Sequence, residues 1–242
     1  VPVTKERPYS MDANIWHLSH EGGDLEDPWN EPPHDVWVMT KDPEETPDTP
    51  TYVDVDFEKG VPVALDGEKL PLAALVEKLN QVAGDNGYGR LDLMENRMVG
   101  LKSRECYEVP AALTLITAHK ALEDLTLERD VLHQKLYLEQ TWATCVYNGQ
   151  WFSPLKKALD AFMAETQKFV TGTVRLKFFK GHCTVMGRKS PCSLYDYGLA
   201  TYDRDTTFDE KAAVGFIEIE TLSLKTWAKM QGPTSLAAQN LS

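Results

Sequence analysis

The stretch Gly87–Pro110, GYGRLDLMENRMVGLKSRECYEVP, decides how the chain is read. It opens on a glycine-punctuated turn, Gly87-Tyr88-Gly89. It then runs into an apolar–polar alternation, Arg90-Leu91-Asp92-Leu93-Met94, that reads as a strand. Glu95, Asn96, Arg97, Lys102, Ser103, Arg104, Glu105, Tyr107 and Glu108 follow within fourteen residues. So many hydrogen-bonding side chains beside a strand suit a polar ligand. The competing reading is a solvated loop held by surface ion pairs.

Upstream of this stretch, Tyr52, Val53, Val55 and Phe57 belong to an alternating strand, Glu58-Lys59-Gly60 turns the chain, and Val61–Leu65 returns. Asp66-Gly67 signals a second turn. Pro71 begins a helix whose Leu72, Leu75, Val76 and Leu79 fall at i, i+3, i+4 and i+7, with Gly84 as its end cap. Residues 1–50 are rich in Pro, Asp and Glu. There Ser10 or Asp12 can cap a short helix through Asn14–Leu18, and Asp35–Met39 can form a strand between polar loops.

Downstream, Ala111–Leu122 reads as a buried helix. Thr126 can cap a second helix to about Tyr147, with apolar cover from Val131, Leu132, Leu136, Trp142 and Val146, and Asn148-Gly149 ends it. Ser153-Pro154 starts a third, with Leu155, Leu159, Phe162 and Met163 on its core face. Gly172–Phe179 and His182–Met186 form a hairpin about Lys180-Gly181. Residues 187–207 read as loop and short helix, Phe208–Ala213 as helix, Gly215–Glu220 as a strand, Thr221–Gln231 as a helix, and GPTSLAAQNLS as a frayed tail. Hairpins with clustered helices define an α+β class: a mixed or antiparallel sheet packed against several helices, plus a C-terminal helical arm.

The 242 residues, 42% of them hydrophobic, fit one large globular domain or two small ones. A net charge of -12 argues against a nucleic-acid surface. No apolar run nears the ~20 residues of a membrane span, and VPVTKERPYS has no secretion-signal core. The 4 cysteines are far apart without a CxxC, so neither zinc nor a disulfide frame is indicated. These features read as a soluble cytoplasmic protein. Gly87-Tyr88-Gly89-Arg90 lacks the third glycine of a dinucleotide fingerprint, Lys102-Ser103 lacks the glycines of a phosphate loop, and neither HExxH nor GxSxG occurs.

The pattern ENR-x-x-G-x-KSR-x-x-YE after GRxDxxE resembles the C-terminal, synthetase half of argininosuccinate synthase. Further matches follow the same order: Tyr9–Asn14, Ser19-His20-Glu21, Gly23, Leu25–Pro28, Phe57–Val63, Val146–Pro154, Thr166-Gln167, Val170–Gly172 and Gly187–Asp196. The likeness runs from Val1 to about Leu224. It implies an ATP-dependent ligase (with magnesium) that adenylates the ureido oxygen of citrulline and lets the aspartate amine displace AMP, yielding argininosuccinate for arginine synthesis. It places Ser10, Ser19, Glu95 and Tyr107 at citrulline-binding positions, with Glu21 a further member. It assigns no catalytic residue, cofactor ligand or metal ligand to this chain.

Citrulline is a zwitterion with a neutral ureido tail, so a buried Glu95 can take its ammonium while Ser and Tyr hydroxyls fix the rest. Taken singly, Ser10 reads as a helix cap and Tyr107 as a core ring. Arg97, Lys102 and Arg104 either assist phosphate or aspartate charge or pair with Glu95, Glu105 and Glu108. The chain departs from the common SRG-x-YETPGGT form at Glu105 and at Ala111-Ala112.

By the resemblance, residues 1–220 form the citrulline-binding domain and 221–242 an oligomerisation helix with its tail. The expected assembly is a homotetramer. An N-terminal nucleotide-binding domain, whose Ser-Gly-Gly-Leu-Asp-Thr-Ser loop this chain does not contain, would supply ATP and most aspartate contacts. A second reading is a non-catalytic citrulline-binding and oligomerisation module. A third is a scaffold without ligand binding.

Overall fold

A computed structural model gives the fold and describes residues 8–203 and 206–232. The tail expected to fray therefore lies, from position 233 on, outside the described residues. Two compact units divide between Leu194 and Tyr195. In chain order the first holds β1 (Ser10–Ala13), β2 (Leu18–Glu21), β3 (Thr51–Glu58), β4 (Val61–Leu65), β5 (Glu68–Lys69), α1 (Leu72–Asp85), β6 (Arg90–Asn96), β7 (Lys102–Glu108), α2 (Pro110–Thr126), α3 (Arg129–Tyr147), α4 (Pro154–Thr166), β8 (Gly172–Phe179) and β9 (His182–Lys189). The second holds α5 (Tyr197–Ala200), α6 (Ala212–Glu220) and α7 (Leu222–Gln231). The class is α+β, as expected, with every described strand pair antiparallel.

One sheet has the order β5-β4-β3-β8-β9. Its two-residue turns put both residues at positive φ: Lys59 and Gly60, Asp66 and Gly67, Lys180 and Gly181. That geometry matches the right-handed twist of the strands it joins, and it is why Lys180-Gly181 turns a hairpin without the usual Asn-Gly. Val53 lies opposite Leu176 and Val55 opposite Val174, so the two strands bury the same face. α1 and α2 cover that face with Leu75, Val76, Leu79, Ala111, Leu115, Ala118 and Leu122.

The second sheet, β1-β2-β7-β6, is built around the Gly87–Pro110 stretch. Its buried side packs Cys106 with Tyr9, Leu25 and Val36. Here the local expectations need correction. Residues 10–18 form no helix: they make the β1–β2 hairpin, because the Asn14 side chain accepts the N–H groups of Trp16 at 2.7 Å and His17 at 3.1 Å and so closes the turn itself. Asp35–Met39 is no strand. It carries a short 3-10 turn, His34–Val36, and its following N–H groups go to a side chain, the carboxylate of Glu108.

Three further expectations fail for local reasons. Gly84 does not cap α1; it lies inside the helix, where a Cβ would stand 2.3 Å from the Met39 carbonyl oxygen. Thr126 is the last residue of α2, its hydroxyl turned back to the Leu122 carbonyl at 2.8 Å, and Glu128 caps α3 instead. Gly215–Glu220 is helical. The Ile217-Glu218-Ile219-Glu220 alternation imitates a strand, but the chain takes up helical bonds such as Thr221 N–H to Ile217 C=O at 3.1 Å. The apolar cover expected of α3 is also only partial. Val131 and Leu136 are exposed, while Lys135 and Cys145 are buried.

Candidate functional site: one face of the four-stranded sheet

Residues directly opposite each other in an antiparallel ladder share a face, and each strand alternates with period two. Ser10 pairs with Glu21, Ser19 with Tyr107, Leu93 with Glu105, and Glu95 with Ser103. All five expected residues, Ser10, Ser19, Glu21, Glu95 and Tyr107, therefore project from one face, joined by Asp12, Ser103 and Glu105. Leu18, His20, Arg104, Cys106 and Glu108 occupy the other face and are buried. One alternation on β7 thus divides structural side chains from those that remain partly accessible.

The Tyr107 hydroxyl lies at the centre. It is hydrogen-bonded to Glu95 Oε1 and, at 2.6 Å, to Glu105 Oε2. From α3 the Tyr147 hydroxyl donates to Glu95 Oε2 at 3.2 Å. The His17 ring lies 5.9 Å from that of Tyr107, and the Arg97 guanidinium is 4.0 Å from the Glu21 carboxylate. Burial, with the Glu95 and Glu21 carboxylates alongside, holds the Glu105 carboxyl above the usual glutamate range. Burial, with hydrogen bonds to Glu105 and Glu95, pushes the Tyr107 phenol well above its usual range. This is an anionic, hydroxyl-bearing surface suited to an ammonium group.

The expected residues are not all in mutual contact. Glu95 and Tyr107 touch. Ser19, buried, is Tyr107's register partner. Ser10 and Glu21 stand at the outer strand pair and line a recess of about 450 Å³ together with Gly23, Lys102 and Ser103. The Ser103 hydroxyl is buried and, among the described residues, has no hydrogen-bond partner. Glu105 and Tyr147 were not among the expected binding residues. The spacing Ser103, Glu105, Tyr107 carried a signal for the first. Nothing in the sequence placed the end of α3 over β6.

The three nearby cations play different parts. Arg104 is structural: it is bound to Asp92 at 2.6 Å and donates to the carbonyls of Asp27 and Asn30, both at 2.9 Å. Its partner is therefore Asp92 rather than the glutamates. Lys102 donates to Asn96 Oδ1 at 2.6 Å. Of the three, Arg97 is the one that pairs with a carboxylate of the polar face, that of Glu21. Among the described residues no cluster of His, Cys, Asp and Glu is suited to hold a metal ion, and no helix is long and apolar enough to cross a membrane.

By architecture this is an antiparallel α+β domain that keeps one polar sheet face accessible. Residues 9–227 match the family model described as the arginosuccinate synthase C-terminal domain. The chain is similar to the argininosuccinate synthase of Moorella thermoacetica, 58% identical over 236 residues, covering 98% of this chain and 58% of that protein. It is likewise similar to those of Rubrobacter xylanophilus (55% identical, 100% of this chain, 59% of that protein) and Bacillus licheniformis (54%, 98% and 59%). The chain belongs to the argininosuccinate synthase family, and it spans 58–59% of the length of these curated relatives.

Proposed function

We propose that this chain is the citrulline-holding part of an ATP-dependent ligase that joins citrulline to aspartate in arginine biosynthesis, in the cytoplasm. Glu95 takes the citrulline ammonium, and the Ser10, Ser19 and Tyr107 hydroxyls fix its remaining polar groups, with Glu21 at the rim. Holding the ureido oxygen in place is a proximity contribution. Adenylation by magnesium–ATP and attack by aspartate are assigned to the part of the relatives' length that this chain does not span. By itself the chain is then a binding and assembly module. The observation that carries this reading is the convergence of all five residues on one face of one sheet.

Residues 221–242 are proposed as the oligomerisation segment of a homotetramer. Supporting this, Leu222, Leu224, Trp227 and Met230 of α7 are 54–64% exposed, a surface that a partner subunit would cover. Calorimetric titration of citrulline tests the site. Glu95→Gln is expected to weaken binding by about 10- to 100-fold, the value of a hydrogen bond to a charged group. Equal affinity in both proteins, or no binding by a folded sample, would overturn the reading for this chain.

A further inference from the structure

Glu95, Tyr107 and Glu105 set three oxygens in a row, with the phenol between two carboxyl groups. Two hydrogen bonds across three oxygens need two protons. Tyr107 brings one, because an ionised phenol here would place a third negative charge beside the other two. A carboxyl group must bring the second. Glu95 has a separate donor in the Tyr147 hydroxyl. Among the described residues, the phenol is the one hydrogen-bond partner of the Glu105 carboxyl. The second proton therefore belongs on Glu105.

We propose that Glu105 is a positioning residue of this site: it stands as the carboxylic acid when the site is empty, donates to Tyr107, and gives up its proton to solvent when a ligand ammonium arrives. The ammonium part of this inference rests on the citrulline reading above. An ammonium offers three N–H donors. It can satisfy Glu95 and Glu105 together, so the acid proton is no longer needed to hold the row of oxygens. The Glu105 O–H bond breaks and its proton is taken up by a buffer base, and an ammonium–carboxylate pair replaces it.

The surroundings agree with this assignment. Burial raises the Glu105 carboxyl most, and Glu95 on β6 and Glu21 on β2 add to it by facing the group with negative charge. The hydrogen bond from the Tyr107 hydroxyl and, to a smaller extent, Arg97 in the loop after β6 oppose them. Tyr107 on β7, Tyr147 on α3, the His17 ring from the β1–β2 turn and Asp12 on β1 are further titratable groups on this face. A ligand without an ammonium has nothing to exchange for the proton. Glu105 thereby favours free α-amino acids over their N-acylated forms.

Infrared difference spectroscopy of the whole chain across ~pH 5–8 reads the protonated carboxyl directly, and calorimetry in two buffers of different ionisation enthalpy counts protons on binding. The expected result is a protonated-carboxyl band in the free protein that Glu105→Gln and Tyr107→Phe both remove from this window. Citrulline should erase that band and release about one proton, falling to none in Glu105→Gln, while N-acetylcitrulline should leave it. No such band in folded wild-type protein, or a band that Glu105→Gln leaves intact, would overturn the assignment. Citrulline binding with the band unchanged would overturn the exchange. A band titrating as expected with no heat of citrulline binding would overturn the citrulline reading and leave Glu105 as the acid.

Discussion

Glu108 Oε1 and the Thr40 hydroxyl lie 2.6 Å apart, and the same buried carboxylate accepts the N–H groups of Val38, Met39 and Thr40 at 2.8–2.9 Å. A connector without strand partners is thus tied to the end of β7. Arg90 braces the arrangement from β6, donating to the Thr40 hydroxyl at 2.7 Å and pairing with Asp42 at 2.7 Å.

Removing that carboxylate strands several donors at once. Glu108→Ala is expected to lose roughly 3–5 kcal/mol of folding stability in urea unfolding, since each unsatisfied buried donor costs ~1–3 kcal/mol. Glu108→Gln should lose less, because one oxygen still accepts. A loss below ~1 kcal/mol for the alanine variant would mean that water replaces the carboxylate freely.

Close approach, not helix termination, explains Gly84. A Cβ there meets a backbone oxygen that cannot swing away. Gly84→Ala is expected to cost roughly 1–3 kcal/mol, the range for overpacking. The control is Gly187→Ala on β9, where an added Cβ meets nothing within 4 Å; it should stay within about 0.5 kcal/mol.

Two carboxyl groups of the four-stranded sheet are expected to give opposite pH dependences. The Arg104 guanidinium hydrogen-bonded to Asp92 holds its carboxyl below the usual 3.8. That contribution is fully present above the unfolded value and is lost as pH falls through the lower folded one; Asp92→Asn should flatten that acid limb. Glu105 behaves inversely. Its raised folded value means that the native state holds more protons, so stability declines as pH rises from 4.5 through the folded value. Chemical denaturation at a series of pH values, with Glu105→Gln removing this decline, checks the sign.

Thiol reactivity should divide by burial. Burial pushes the Cys106 thiol up to about 11 and the Cys183 thiol to about 12. Cys145 is only 2% exposed. Alkylation followed by mass spectrometry at mildly alkaline pH should mark Cys192 first, the half-buried Cys183 more slowly, and Cys106 and Cys145 only as the chain unfolds. Rapid native labelling of Cys106 would contradict its place behind the polar face.

Much of this fold was legible because local chemistry and tertiary structure agree. The Val53, Val55, Phe57 alternation, the Ser153-Pro154 start and the Lys180-Gly181 turn each read correctly from a few residues. The failures came where distant partners decide. Nothing near Asp35–Met39 announces that Glu108, some seventy residues on, takes its N–H groups. One failure was local instead: Asn14 closes its own turn and displaces the helix read as capped by Ser10 or Asp12. The site was legible in part for the same reason. The ENR and KSR motifs of the family resemblance brought Glu95 and Tyr107 forward, whereas Tyr147 reaches Glu95 only through the packing of α3.

The central claim is the citrulline site on the β1-β2-β7-β6 face, and a crystal of the chain grown with citrulline tests it most directly. The expected result is ligand density on that face, its ammonium within hydrogen-bonding distance of Glu95 and its other polar groups against Ser10, Ser19 and Tyr107. Citrulline bound elsewhere, with those side chains as they stand now, would contradict it.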